Sequence, residues 1–88
     1  LGIDASQLFF KDGSGLSHDN RVTARATVEL FAAMDEHPAG PWWFESMSIS
    51  GVRGTLSARM TGPDTWGRVY GKSGTLNGVI TLSGVLYH

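Results

Sequence analysis

One dipeptide, Asn77-Gly78, constrains this chain more than any other feature. It stands between two stretches rich in strand formers, Gly67–Ser73 (GRVYGKS) and Val79–Tyr87 (VITLSGVLY). Val69 and Tyr70 are the best β formers of the first arm. Asn-Gly suits a tight two-residue turn, so the last third of the chain reads as an antiparallel hairpin. Along the second arm, alternation sends Val79, Thr81, Ser83 and Val85 to one face and Ile80, Leu82, Gly84 and Leu86 to the other. Both faces are uncharged, which predicts a central strand covered on each side. The chain has 88 residues, enough for one domain at most, or for a piece of one. Few are left to supply two covering layers, so the expectation is a sheet that belongs to a larger domain.

Upstream of the hairpin, Gln7–Lys11 (QLFFK) reads as a short strand or extended arm. It leads into Asp12-Gly13-Ser14-Gly15, a strong loop signal that continues through Asn20. Thr23 has the hydroxyl that caps a helix, and Ala24–Glu36 are mostly good helix formers. Leu30, Phe31 and Met34 repeat at helical spacing, with Ala24 or Thr27 a turn earlier, and are expected to be core. Pro38-Ala39-Gly40-Pro41 stops the helix. Trp42-Trp43-Phe44 suits the first turn of another short helix. Ile49–Gly54 reads as a loop, Thr55–Met60 (TLSARM) as a short helix and Thr61–Asp64 as a turn. The three tryptophans, Trp42, Trp43 and Trp66, are expected in packing or at an interface. The predicted fold class is α+β, part of an antiparallel sheet flanked by helices.

Composition excludes several functions. Seven basic residues against eight acidic ones give a formal charge of −1, without the basic excess of a nucleic-acid binder or a polybasic membrane-surface module. No apolar run approaches the roughly 20 residues of a membrane span. Leu1–Ser6 lack the basic start and apolar stretch of a signal peptide. The absence of cysteine removes disulfides and thiolate metal sites. His18, His37 and His88 are not at metal-ligand spacing, and no cofactor is expected. Ser17, His18 and Asp19 are too close in sequence to form a catalytic triad. Ser14 lacks the Gly-x-Ser-x-Gly surroundings of a hydrolase elbow, so it is assigned to shaping the loop.

Lys72-Ser73-Gly74-Thr75 carries the chemistry. Lys72 offers a fixed positive charge to a substrate carboxylate, and the Ser73 hydroxyl can hydrogen-bond the same group. Gly74 has no Cβ, so an extended substrate can lie against the strand. The Thr75 backbone N–H can face a developing oxyanion. Lys-[Thr/Ser]-Gly on a strand is the pattern of penicillin-binding proteins and serine β-lactamases. Asp12-Gly13-Ser14-Gly15-Leu16-Ser17, followed by Asn20 and a helix, is a second motif. With Val69–Val79 (VYGKSGTLNGV) and the later Leu82-Ser83-Gly84, it resembles the class C low-molecular-mass penicillin-binding proteins, the D-alanyl-D-alanine carboxypeptidase/endopeptidase family. The resemblance runs from about Asp12 to the end of the chain. Between Pro38 and Trp66 it rests only on Gly51-x-x-Gly54-Thr55-Leu56.

The resemblance implies a transpeptidase-like fold and a serine acyltransferase working outside the cytoplasm, in the periplasm or its equivalent, on peptidoglycan stem peptides. Penicillins would acylate the same serine. Lys72, Ser73, Gly74 and Thr75 would form the catalytic strand, and Leu16, Ser17, His18 and Leu76 would meet the substrate. His18 stands where many members carry Arg, which makes recognition of a side-chain carboxylate weaker and dependent on pH. The family's nucleophile lies in Ser-x-x-K, yet neither lysine here, Lys11 or Lys72, follows a serine by three residues, and no Ser-x-Asn occurs. Residues 1–88 are therefore read as the C-terminal segment of one catalytic domain, with the missing N-terminal part as its partner. On its own the segment is expected to be inactive. A serine β-lactamase or esterase of the same fold, or a non-catalytic interaction module, is the alternative.

Overall fold

The computed structural model describes residues 1–87. His88, set aside above as a metal ligand, lies outside the described residues. The chain forms two compact units, Leu1–His37 and the remainder from Pro38 onward.

The first unit opens with a 3-10 turn, Ala5–Gln7, capped by the Asp4 carboxylate, which accepts the Ser6 N–H at 2.9 Å. Strand β1 (Leu8–Phe9) pairs antiparallel with β2 (Arg21–Val22), Leu8 opposite Val22 and Phe9 opposite Arg21. The strand expected within Gln7–Lys11 is thus present but short. Helix α1 spans Ala24–Glu36, and Thr23 Oγ1 accepts the Ala26 N–H at 3.0 Å, as its hydroxyl predicts. The helix stops before Pro38. Within α1 only Ala26 is fully buried, and Leu30, Phe31 and Met34 are half-buried rather than core. So small a unit cannot enclose a whole helix face.

The second unit holds helix α2 (Gly40–Glu45), started by Pro41 in its first turn, strand β3 (Ser48–Ile49), a 3-10 turn (Gly54–Leu56), β4 (Val69–Leu76) and β5 (Val79–Leu86). The sheet order is β3-β4-β5, antiparallel throughout. Phe44, Met47, Ile49 and Leu56 form the apolar core. Beside them lies a fully buried polar residue, Ser50. Its hydroxyl donates to the Thr65 carbonyl at 2.5 Å and accepts the Val69 N–H at 3.1 Å. Both of its polar roles are filled, so burial carries no desolvation penalty and the loop before β4 is tied to the strand's first residue. On one face of the hairpin, Tyr70 and Tyr87 meet edge to face at 5.1 Å, and Phe44 of α2 meets Tyr87 at 6.5 Å.

Four further details differ from the sequence reading. β5 is an edge strand among the described residues, with Ile80 83% exposed, and the central position falls to β4. Uncharged alternation shows that both faces of a strand tolerate apolar cover, but it does not show what lies beside the strand. β4 begins at Val69, because Gly67 at φ +69° belongs to the preceding turn, and it runs on to Leu76. Ile49 is in β3, not in the loop that follows. The helix expected over Thr55–Met60 is a single 3-10 turn. Gly54 enters it at φ +70°, and Met60, at φ +52°, is in the left-handed region that no helix can contain.

Gly71 and Gly84 face each other across β4 and β5. A Cβ at Gly84 would fall 2.4 Å from the Tyr70 carbonyl oxygen and 2.8 Å from Gly71 Cα. Backbone atoms cannot swing aside, so Gly84→Ala is expected to cost about 1–3 kcal/mol through overpacking. Gly13→Ala is the control, because a Cβ there meets nothing within 4 Å. Urea midpoints of the two variants check this, and equal midpoints would contradict it.

Candidate active site on strand β4

β4 is paired along its whole length with β5, from Val69–Leu86 to Leu76–Val79, but β3 covers only Tyr70 and Gly71. The Ser50 N–H donates to the Val69 carbonyl at 2.9 Å, so Val69 directs its backbone polar groups to the β3 side. Backbone directions alternate along a strand. Gly71, Ser73 and Thr75 therefore point the same way as Val69, while Lys72, Gly74 and Leu76 point at β5. Beyond the end of β3, the N–H and C=O groups of Ser73 and Thr75 face an edge that no described strand occupies.

Side chains alternate as well. Val69, Gly71, Ser73 and Thr75 share one face with Leu82 and Gly84 of β5, and Lys72 rises from the other. The Lys72 stem folds back so that its ammonium donates to the Ser73 carbonyl on the open edge. Charge and hydroxyl thus arrive at one stretch of strand from opposite faces. Lys72 is exposed, and Ser73 and Gly74 are half-buried.

The Ser73 hydroxyl donates to Thr55 Oγ1 at 2.7 Å. Thr55 Oγ1 lies 3.3 Å from Ser48 Oγ, which also accepts the Thr55 N–H at 3.1 Å. Three hydroxyls from β3, the 3-10 turn and β4 form one row. Gly54 allows the row to close. It sits at φ +70°, and a Cβ there would fall 2.2 Å from Ser48 Oγ. Leu56, the next residue but one, is fully buried, and its Cδ1 lies 3.2 Å from where a Cβ on Gly71 would be. Sequence reasoning assigned no role to Thr55 or Ser48. The signal available was the Gly51-x-x-Gly54-Thr55-Leu56 match.

Leu16, Ser17 and His18 belong to the first unit. Their loop is shaped by Asp12, whose Oδ1 accepts both the Ser14 N–H at 3.0 Å and the Ser14 hydroxyl at 2.9 Å. Ser14 Oγ in turn accepts the Leu16 N–H at 3.0 Å, so Ser14 shapes the loop as its sequence context suggests. Asn20 Oδ1 accepts the Lys11 N–H at 2.6 Å, tying the two ends of the loop together. Ser17 Oγ accepts the Asp19 N–H at 3.2 Å, a local turn. The Arg21 guanidinium donates to the His18 carbonyl. Leu16, expected to meet the substrate, is 72% exposed. Leu76 is half-buried at the hairpin end, beside Thr75, Asn77 and Ile80.

Known proteins resemble this chain in sequence and in fold. The D-Ala-D-Ala carboxypeptidase 3 (S13) family matches residues 1–88, and the chain belongs to that family. A D-alanyl-D-alanine carboxypeptidase of an Actinomadura species is 42% identical over 89 aligned positions, covering 96% of this chain and 16% of that protein. Two crystal structures of penicillin binding protein 4 (dacB) from Haemophilus influenzae, one complexed with a novel β-lactam, superpose with a TM-score of 0.87 at 31% identity. They cover 97% of this chain and 19% and 20% of those chains. The chain thus spans a fifth or less of the proteins it matches, and the α+β fold with its antiparallel sheet is that of the matching segment.

The Asp12 carboxyl is held below its ordinary value of 3.8, first by the Ser14 hydroxyl and then by the Ser14 N–H. A depressed folded pKa means that the contribution of these bonds is complete above the ordinary value and is lost as pH falls through the folded one. The Ser14 amide resonance is therefore expected to titrate with a midpoint below 3.8. A midpoint at or above that value would show that the Asp12–Ser14 contacts do not hold in solution.

Proposed function

We propose that this chain supplies the carboxylate-binding strand of a serine-type D-alanyl-D-alanine carboxypeptidase/endopeptidase that acts on peptidoglycan stem peptides. The observation that carries the reading is that the Lys72 ammonium, held at the Ser73 carbonyl, and the Ser73 hydroxyl, held at Thr55, flank the same open stretch of strand edge. A carboxylate accepts hydrogen bonds only, so an ammonium and a hydroxyl that both donate suit it. A peptide backbone extended along the edge would meet the N–H and C=O groups of Ser73 and Thr75, as an added strand does. Its scissile carbonyl would polarise toward the Thr75 N–H. Gly74 keeps that length of strand free of a side chain.

The nucleophilic serine comes from outside residues 1–88, and all 88 residues are a segment of one catalytic domain. The reaction is acyl transfer. The serine oxygen attacks the carbonyl between the two terminal D-alanines, the terminal D-alanine leaves with a proton, and water releases the acyl group. β-Lactams, which carry a carboxylate beside a strained amide, would be bound by the same strand. Leu76, at the end of the same strand, is assigned to the side chain of the residue before the D-alanines, and Leu16, Ser17 and His18 of the first unit are assigned to substrate recognition. Such substrates place the enzyme outside the cytoplasm. Among the described residues no helix is long and apolar enough to cross a membrane.

The test uses the complete catalytic domain and a fluorescent penicillin. Lys72→Ala is expected to slow acylation about ten- to a hundredfold, the loss of a charge-assisted hydrogen bond of roughly 1.5–3 kcal/mol. Lys11→Ala should leave it unchanged. His18→Arg in the same series should strengthen the preference for stem peptides with a side-chain carboxylate. Equal effects of the two lysine substitutions would refute the assignment. Rapid release of the penicilloyl group would instead indicate a β-lactamase.

A further inference from the structure

The carboxylate reading leaves one problem. Serine has no branch at Cβ and samples three χ1 wells, so nothing within Ser73 itself holds its hydroxyl toward a ligand. We propose that Thr55 is a positioning residue that holds the Ser73 hydroxyl for the substrate carboxylate, and that the row Ser73–Thr55–Ser48 reverses its hydrogen bonds when the carboxylate arrives. The proposal rests on the functional reading above.

The hydrogen-bond accounting is specific. Without ligand, the Ser73 O–H donates to Thr55 Oγ1 at 2.7 Å. That proton is the one a carboxylate needs. If it simply left, Thr55 Oγ1 would lose its donor from the protein, and water would have to take its place at this exposed contact. The row supplies the replacement from the protein itself. When Ser73 turns its proton to the carboxylate, the Thr55 O–H turns to Ser73 Oγ. The Ser48 O–H then turns to Thr55 Oγ1 across 3.3 Å, a contact in which either oxygen can donate. In the bound state each of the three hydroxyls gives one proton to the next acceptor, and no proton changes its oxygen. In the bound state all three dipoles point toward the negative charge, so each bond strengthens the next.

The backbone fixes this row from below. The Thr55 N–H donates to Ser48 Oγ at 3.1 Å whichever way the protons run, so Ser48 keeps its place during the reversal. Gly54 leaves no room for a side chain between them. Leu56, packed at Gly71 on the same face, holds the 3-10 turn against the sheet. The row connects residues 18 and 7 positions apart in sequence, so it exists only in the folded chain.

The experiment measures the complete catalytic domain with a peptide ending in D-Ala-D-Ala, and with one β-lactam offered as free acid and as methyl ester. In Thr55→Val, the shape of the side chain stays and the hydroxyl goes. KM is expected to rise roughly three- to tenfold, kcat to stay within about twofold, and acid-over-ester preference to fall by the same factor as KM rises. Thr55→Ser keeps the hydroxyl and should restore both. Ser48→Ala, which removes the last member of the row, should reduce the preference by a smaller factor, and it decides the matter if Thr55→Val does not fold. Unchanged preference in Thr55→Val would overturn the proposal, as would a Thr55→Ser variant impaired as severely as the valine. A wild-type domain that does not prefer acid over ester would overturn the functional reading itself, and this inference with it.

Discussion

Strand β4 is hydrogen-bonded along its full length on one side and over only two residues on the other. The candidate site depends on that asymmetry. The β5 side makes the strand rigid, since every backbone group of Lys72, Gly74 and Leu76 turned toward β5 meets a neighbouring strand. The β3 side stops at Gly71, so the next outward-facing residues, Ser73 and Thr75, keep their backbone groups for something else. A longer β3 would fill the edge and leave no room for a substrate. An absent β3 would remove Ser48, and with it the support for Thr55.

The close approach of β4 and β5 at Gly71 and Gly84 serves the same end. Gly84 lets the two strands approach, Gly71 lets Leu56 settle onto the sheet, and Leu56 carries the turn that presents Thr55. The buried Ser50 hydroxyl secures the other end by joining the loop at Thr65 to the first residue of β4. Packing thus acts on the site through a short series of contacts from core to turn to hydroxyl.

Much of this was legible in the sequence because it is local. Asn77-Gly78 marked the hairpin, and register confirms the two faces read from alternation along Val79–Leu86. Thr23 and Pro38 bounded α1, since a hydroxyl cap and a missing N–H act within one turn. Lys72-Ser73-Gly74-Thr75 marked the strand of the candidate site because its chemistry is carried by four consecutive residues. What escaped is non-local. The edge position of β5 depends on which strands lie beside it, and composition along a strand does not record its neighbours. The half-burial of Leu30, Phe31 and Met34 depends on how much chain is present to cover them. The Thr55–Ser73 bond joins residues 18 apart, and no periodicity signals it. The failed helix at Thr55–Met60 has a plainer cause: its residues favour helix one by one, but Gly54 and Met60 adopt positive φ and bracket the segment.

A crystal structure of the complete catalytic domain acylated by a carboxylate-bearing β-lactam tests the central claim most directly. The account predicts the ligand carboxylate within hydrogen-bonding distance of both Lys72 Nζ and Ser73 Oγ, the acyl carbonyl oxygen facing the Thr75 N–H, and the ligand lying along the open edge beyond β3. A carboxylate bound elsewhere, with Ser73 still donating to Thr55, would contradict it.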